Sequence, residues 1–415
     1  MRRLTGAVFL AMSLGRLCGA DSEPRWITLN HAAHQAAQSK DYPALRDALT
    51  GLQALLPGNA RILYKLADAE ARLGHNTQAL AELADLAAAG LIYDFAADED
   101  FASLRATPQF AAILRQTDRN RQPVGHAVAV QLLPEPDLLP EDLAYDPKTH
   151  RFLIGSVTQS KIVTGEGRLF AQTGWPVMAL RIDSRRRILW AATGWVGHCA
   201  HCNLADKDKS ALLAFHLDSG ALIRRIESPV KGLFGDMAIS RAGDLYVSEG
   251  TYGAVLRLTA GASTFDRLDP PGEFPSPQTP ALSADEHTLY VPDYVRGIAA
   301  IDLQTRALRW LQPAPKIVLS GIDGFYRYGN SFLAVQNGET PERLVLFSAD
   351  LTRQRILETN TPGLGEPTHG TFVGDTFYFI ANTGWNEYDD EGRKKPGSPR
   401  VESELRKIDM RHLAP

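Results

Sequence analysis

The sequence predicts a mainly β chain with a small α-helical domain at its front. Residues from about 27 to 118 place apolar side chains at three-to-four spacing, the helical period. Beyond residue 125 the apolar residues alternate with period two between turn signals. There a four-strand unit recurs six times at intervals of about 40 to 50 residues, the period of propeller blades. The predicted fold is therefore a six-bladed β-propeller preceded by helices.

In the helical part, "ARILYKLADAEARLGHNTQALAELADLAAAG" carries Leu63, Leu66, Leu73, Leu80, Leu83 and Leu86 on helical spacing, and Leu73-Gly74 separates two helices. The preceding "HAAHQAAQSKDYPALRDALTGLQALLPGN" reads as a second helical hairpin. Tyr64, Leu66, Ala67, Leu73, Gly74, Ala79 and Leu80 resemble a tetratricopeptide repeat, which implies a packing module or one that docks a protein partner. "NRQPVG" at 120–125 reads as a linker. The expected domains are a helical domain with its linker at 21–122 and a propeller at 123–415.

Ahead of the helices, Arg2 and Arg3 precede a short apolar run, Leu4 to Leu14, and small residues at Cys18 and Ala20. This is the pattern of an export signal cleaved after Ala20, and it predicts a periplasmic or secreted protein. No other apolar run is long enough to span a bilayer. A formal net charge of −4 argues against charge-driven binding to nucleic acid or anionic lipid.

The blade units begin with "PEDLAYDP", "WPVMALRID", "GDMAISRAGD", "PQTPALSADE", "IDGFYRYGN" and "EPTHGTFVGD". Each has a first strand, a tight turn, a very apolar second strand and two further strands. The sixth has no obvious fourth strand, whereas "HAVAVQLL" at 126–133 has no partner in the first. It is expected to supply the outer strand of the last blade, closing the ring and removing a sheet edge.

First strands line a propeller's central channel and run parallel, so their starting residues converge on one face. Those residues are Glu141, Asp236, Gln278, Asp323 and the group Glu366 to His369; the second unit offers Pro176 and Val177. Converging oxygen donors suit a hard divalent cation. Loops between second and third strands emerge on the same face with Glu249, Asp293, Asn337 and Asn382 as substrate-binding candidates beside Asp236. The two longest insertions, 194–209 and 383–399, also lie there. For each acid the competing reading is a turn residue that accepts backbone amides.

"LPEDLAYDP", "GDMAISRAGDLYVSEG", "LSADEHTLYVPDY" and "GIDGF" resemble the blade motifs of the regucalcin/gluconolactonase family of six-bladed propellers, over nearly all of 126–415. Paraoxonase-like and strictosidine-synthase-like propellers share the pattern more distantly. The resemblance implies one divalent cation, calcium foremost, and hydrolysis of small lactones. It implies metal ligands at Glu141 in blade one, at Gln278 in blade four, where the family has Asn, and at Asp323 in blade five. Gly235-Asp236 stands where an Asn-Asp pair is common. By the same resemblance Asp323 is the general base, and His369 assists proton transfer or binds substrate.

"HCAHC" at 198–202 permits a Cys199–Cys202 disulfide, a metal site, or redox-active thiols. P-loop, dinucleotide, Gly-x-Ser-x-Gly and His-Glu-x-x-His patterns are absent. The sequence thus points to an exported metal-dependent hydrolase of the lactonase kind. The alternatives are a non-catalytic module whose channel binds a small molecule or peptide while its helices dock a partner, and a redox or metal-handling role centred on "HCAHC".

Overall fold

A computed structural model describes residues 23–389, 391–398 and 402–415. The export signal read at 1–20 lies outside the described residues. Among the described residues there are five α-helices: α1 (Arg25–Ser39), α2 (Tyr42–Leu55), α3 (Ala60–Arg72), α4 (Asn76–Ala88) and α5 (Pro108–Asn120). No helix among them is long and apolar enough to cross a membrane. Their ends follow from local chemistry. The Asp41, Asn59 and Thr107 side chains accept backbone amides at the starts of α2, α3 and α5. Gly74, at φ +78°, turns the chain after α3. Leu45, Leu49, Leu52 and Leu66 pack α1 to α3 together, and Leu83, Leu86, Phe95, Phe101 and Phe110 pack α3 to α5.

Six antiparallel sheets follow. Blade one spans Pro140–Asp146, Arg151–Ser156, Lys161–Thr164 and Leu169–Gln172. Blade two spans Val177–Asp183, Ile188–Gly194, Ser210–His216 and Leu222–Glu227. Blades three, four and five begin at Phe234–Ile239, Ala281–Leu282 and Ile322–Tyr328. Blade six contains Gly370–Val373, Thr376–Ile380 and Glu404–Asp409, and its outer strand is Val128–Leu132. Six apolar clusters each join two neighbouring blades, so the core is a ring of interblade seams. The seam of Leu143, Ile154 and Val163 with Ile380 and Leu405 closes it between blades one and six.

The stretch read as a linker is structured. α5 runs to Asn120, and Val124–Gly125 pairs with the outer strand of blade five before the chain crosses to blade six. Short polar stretches look like linkers in sequence because their partners, here Thr359 and Glu358, lie far away along the chain.

The helices sit on the rim of blades four and five, on the face where first strands begin. Asn59 Nδ2 donates to the Val295 carbonyl (2.7 Å), and the Ala60 amide donates to Ser320 Oγ (3.1 Å). Arg343, fully buried, donates to the Ala89 carbonyl (2.7 Å) and to Gln336 Oε1 (2.7 Å). Val318 of the propeller belongs to the helical core.

Candidate functional site

β-Bulges at the heads of the first strands aim the site residues. Register shifts fall between Pro140 and Leu143, between Phe234 and Asp236, and between Ile322 and Gly324. Glu141-Asp142 and Asp323 therefore sit inside bulges, where the extra residue is free to turn its side chain into the channel. This accounts for an acid at the head of an apolar strand. Gly324 permits it, because a Cβ there would lie 2.6 Å from the Thr368 carbonyl.

Glu141, Asp236, Asp323 and His369 meet at the channel mouth. His369 Nε2 lies 2.6 Å from Asp236 Oδ1 and 3.9 Å from Asp323 Oδ1, and its Nδ1 lies 3.7 Å from Glu141 Oε1. His369 Nδ1 also donates to the Glu141 carbonyl (3.1 Å). A carbonyl can only accept, so the Nδ1 proton is assigned by this contact. Thr279 Oγ1 donates to Asp236 Oδ1 (2.8 Å), and Asn337 Nδ2 donates to Asp323 Oδ2 (2.6 Å). Below, Arg181 pairs with buried Asp142 (2.6 Å).

Burial pushes the Glu141 carboxyl well above its ordinary range; His369 opposes this and Asp323 adds to it. Asp323 is likewise raised by burial, against the pull of His369. Burial alone would lower the His369 imidazole, but Asp236 and Asp323 hold it well above 6.5.

The residues present fit a divalent cation. Glu141, Asp323 and His369 each offer a ligand atom within 4.8 Å of the others. His369 Nε2 is buried 2.6 Å from Asp236 Oδ1. With Nδ1 donating to a carbonyl, Nε2 is the ring nitrogen that would hold an ion, giving up its proton to do so. Four acids, Glu141, Asp142, Asp236 and Asp323, face two cationic groups, Arg181 and His369.

The other sequence candidates lie as follows. Gln278 Nε2 donates to the Ser276 carbonyl (3.2 Å) and Oγ (3.0 Å), and its neighbour Thr279 is the blade-four side chain that reaches the acids. Blade four's first strand is only two residues long, and Pro277 bridges to Asp293 ahead of it one residue out of register with the Ala281–Tyr290 pair, so Gln278 lies in a shift like those of the other blades. Glu249 accepts the Leu233, Thr251 and Tyr252 amides. Asp293 accepts those of Ser276, Val295 and Arg296. These two carboxylates are taken up by the turns. Asn382 bridges to Gly365 through its backbone. Asn337 joins the site and also accepts from Tyr294 Oη (3.0 Å). Cys199 and Cys202 form a disulfide.

Sequence reading passed over Thr279, Asp142, Arg181 and Trp385. Trp385, from the blade-six insertion, donates through Nε1 to Glu141 Oε2 (2.5 Å). A tryptophan in a long rim loop was the available signal.

No protein-family model matches the chain, and no curated protein matches it. Similar solved structures include a gluconolactonase from Xanthomonas campestris, at 15% identity and TM-score 0.46, covering 69% of this chain and 98% of that one. Regucalcin from Agrobacterium tumefaciens, a calcium-binding protein, aligns at 14% identity and TM-score 0.48, covering 68% and 96%. A luciferin-regenerating enzyme aligns at 13% identity and TM-score 0.47, covering 69% and 95%. All three are six-bladed β-propellers. The fold assignment for this chain rests on its own six sheets.

Proposed function

We propose that the channel mouth is a divalent-cation site that hydrolyses lactones or related small esters. The convergence of Glu141, Asp323 and His369 carries this reading. Glu141, Asp323 and His369 would hold the ion, calcium foremost, with Asp236 beside them. Bound there, a divalent ion polarises an ester carbonyl.

The chain's own groups supply the rest. Asn337 occupies Asp323 Oδ2, leaving Oδ1 to accept a proton from the attacking water. Burial strengthens Asp323 as a base. As the ring C–O bond breaks, the leaving oxygen needs a proton, and Asp323 returns the one it took from the water, which restores the base. A cavity of about 330 Å³, lined by Asn337, Glu339, Glu342 and Leu364, adjoins Asp323 through Asn337.

We further propose that the chain works outside the cytoplasm. The Cys199–Cys202 disulfide and the basic-then-apolar N-terminus support this.

Elemental analysis of purified wild type and Asp323→Ala tests the site. A stoichiometric divalent ion, lost in the variant, is expected, followed by turnover in a lactone and ester screen. No ion in either protein, even after calcium is added, overturns the reading.

Gln278, turned onto Ser276, favours a second reading. In it the channel holds a small molecule or peptide without turnover, and the outward helix faces dock a protein partner. Ligand binding with no product from any lactone or ester selects it.

A further inference from the structure

The two long rim insertions flank blade one, which carries Glu141. One, from blade two, holds the Cys199–Cys202 disulfide; the other, from blade six, holds Trp385. They meet over Glu141. The His198 ring packs edge-on against Trp385, with centroids 4.6 Å apart, and against Tyr388, at 5.4 Å. Gly197 and Gly392 bring the two backbones together, since a Cβ on Gly392 would lie 2.2 Å from the Gly197 carbonyl carbon. Leu139, Val157 and Met178 floor the contact, with Val196 packed against them. The disulfide loop is anchored on blade one, where the Ala200 amide donates to the Thr158 carbonyl (3.0 Å) and Ser160 Oγ lies 3.4 Å from Cys199 Sγ.

We infer that Trp385 is a positioning residue for Glu141 and that the Cys199–Cys202 loop holds Trp385 in place through His198. The indole N–H occupies Glu141 Oε2 and leaves Oε1 turned toward His369. A carboxylate with one oxygen engaged by a rigid donor presents the other in a single orientation. Ring packing sets where that donor sits, and the disulfide bounds the loop that supplies His198. The inference rests on reading Glu141 as a cation ligand.

The test uses the full chain. Trp385→Phe keeps the ring and removes the N–H. His198→Ala keeps the indole and removes the ring behind it. Cys199→Ser/Cys202→Ser opens the loop. Calcium affinity by calorimetry is expected to fall about tenfold in each, the usual effect of losing a partner that orients a ligand, with thermal unfolding unchanged in Trp385→Phe. The emission of Trp385 in the calcium-free protein supplies a second readout, taken by subtracting the Trp385→Phe spectrum in each background. It is expected to shift in His198→Ala and in the double serine variant. Wild-type affinity in Trp385→Phe, or Trp385 emission unmoved when the disulfide is removed, overturns the inference. A wild type that binds no calcium overturns the proposed function instead, and the emission comparison then decides the brace alone.

Discussion

His369 and Asp236 meet across the channel, Nε2 to Oδ1 at 2.6 Å, each about 2% exposed. One begins blade six and the other blade three, on opposite sides of the ring. A buried contact of opposite charges is costly to break by halves, because the remaining group stays in place without its partner. Asp236→Asn is therefore expected to destabilise the chain by about 3 kcal/mol in urea unfolding, although Asn can still accept from Thr279. A midpoint unchanged from wild type would show that the contact does not tie the ring.

Arg343 is the largest fully buried side chain and joins the two domains. Its removal strands Gln336 Oε1, leaves the Ala89 carbonyl only the longer bond from Gln354 Nε2, and leaves Arg61 as the remaining cation acting on Glu339. Arg343→Ala should cost about 3 kcal/mol. It should also expose α4 and the following loop to limited proteolysis before the propeller. Cleavage at the wild-type rate would contradict this.

Asn59 acts at two places, accepting the Ile62 amide as the cap of α3 and donating to Val295 on blade four. Asn59→Ala loses both, and about 1 to 2 kcal/mol is expected. Asn59→Asp keeps the cap oxygen and loses the donor, so its unfolding midpoint should fall between Asn59→Ala and wild type. Equal loss in the two variants would mean that the cap contributes nothing.

Glu339 is pushed up to about 7 by burial, against the Ser320 hydroxyl and the Arg343 guanidinium. Its folded-state pKa exceeds its ordinary 4.5. The associated stability is thus full below the ordinary value and is lost as pH rises through about 7. Melting temperatures of wild type and Glu339→Gln, measured across that window, should converge toward acid and separate toward neutral pH, with the variant the more stable. Parallel curves would assign the pH dependence elsewhere.

Much of this molecule is legible in local chemistry. Alternation at period two, the blade spacing and the orphan strand near 126–133 are short-range or repeating signals, and they specify a six-bladed ring. Glu141 and Asp323 share a place at the heads of their strands, which is also a repeating signal. Gln278 occupies the equivalent place, inside a like register shift between Pro277 and Ala281, yet its amide turns back to Ser276. Bulges depend on pairing with a neighbouring strand, so alternation alone does not reveal them.

The sequence by itself determined the fold class, the face on which acids gather and the pairing of Cys199 with Cys202 as one of three options. Tertiary structure alone decided which side chains meet. It joined His369 to Asp236, Trp385 to Glu141 and Asn59 to Val295 over separations of 133, 244 and 236 residues. It also set the helices on the rim of blades four and five. The reason is physical: side-chain periodicity is a property of a few consecutive residues, whereas a site in a ring is made by strands that meet only when the ring closes.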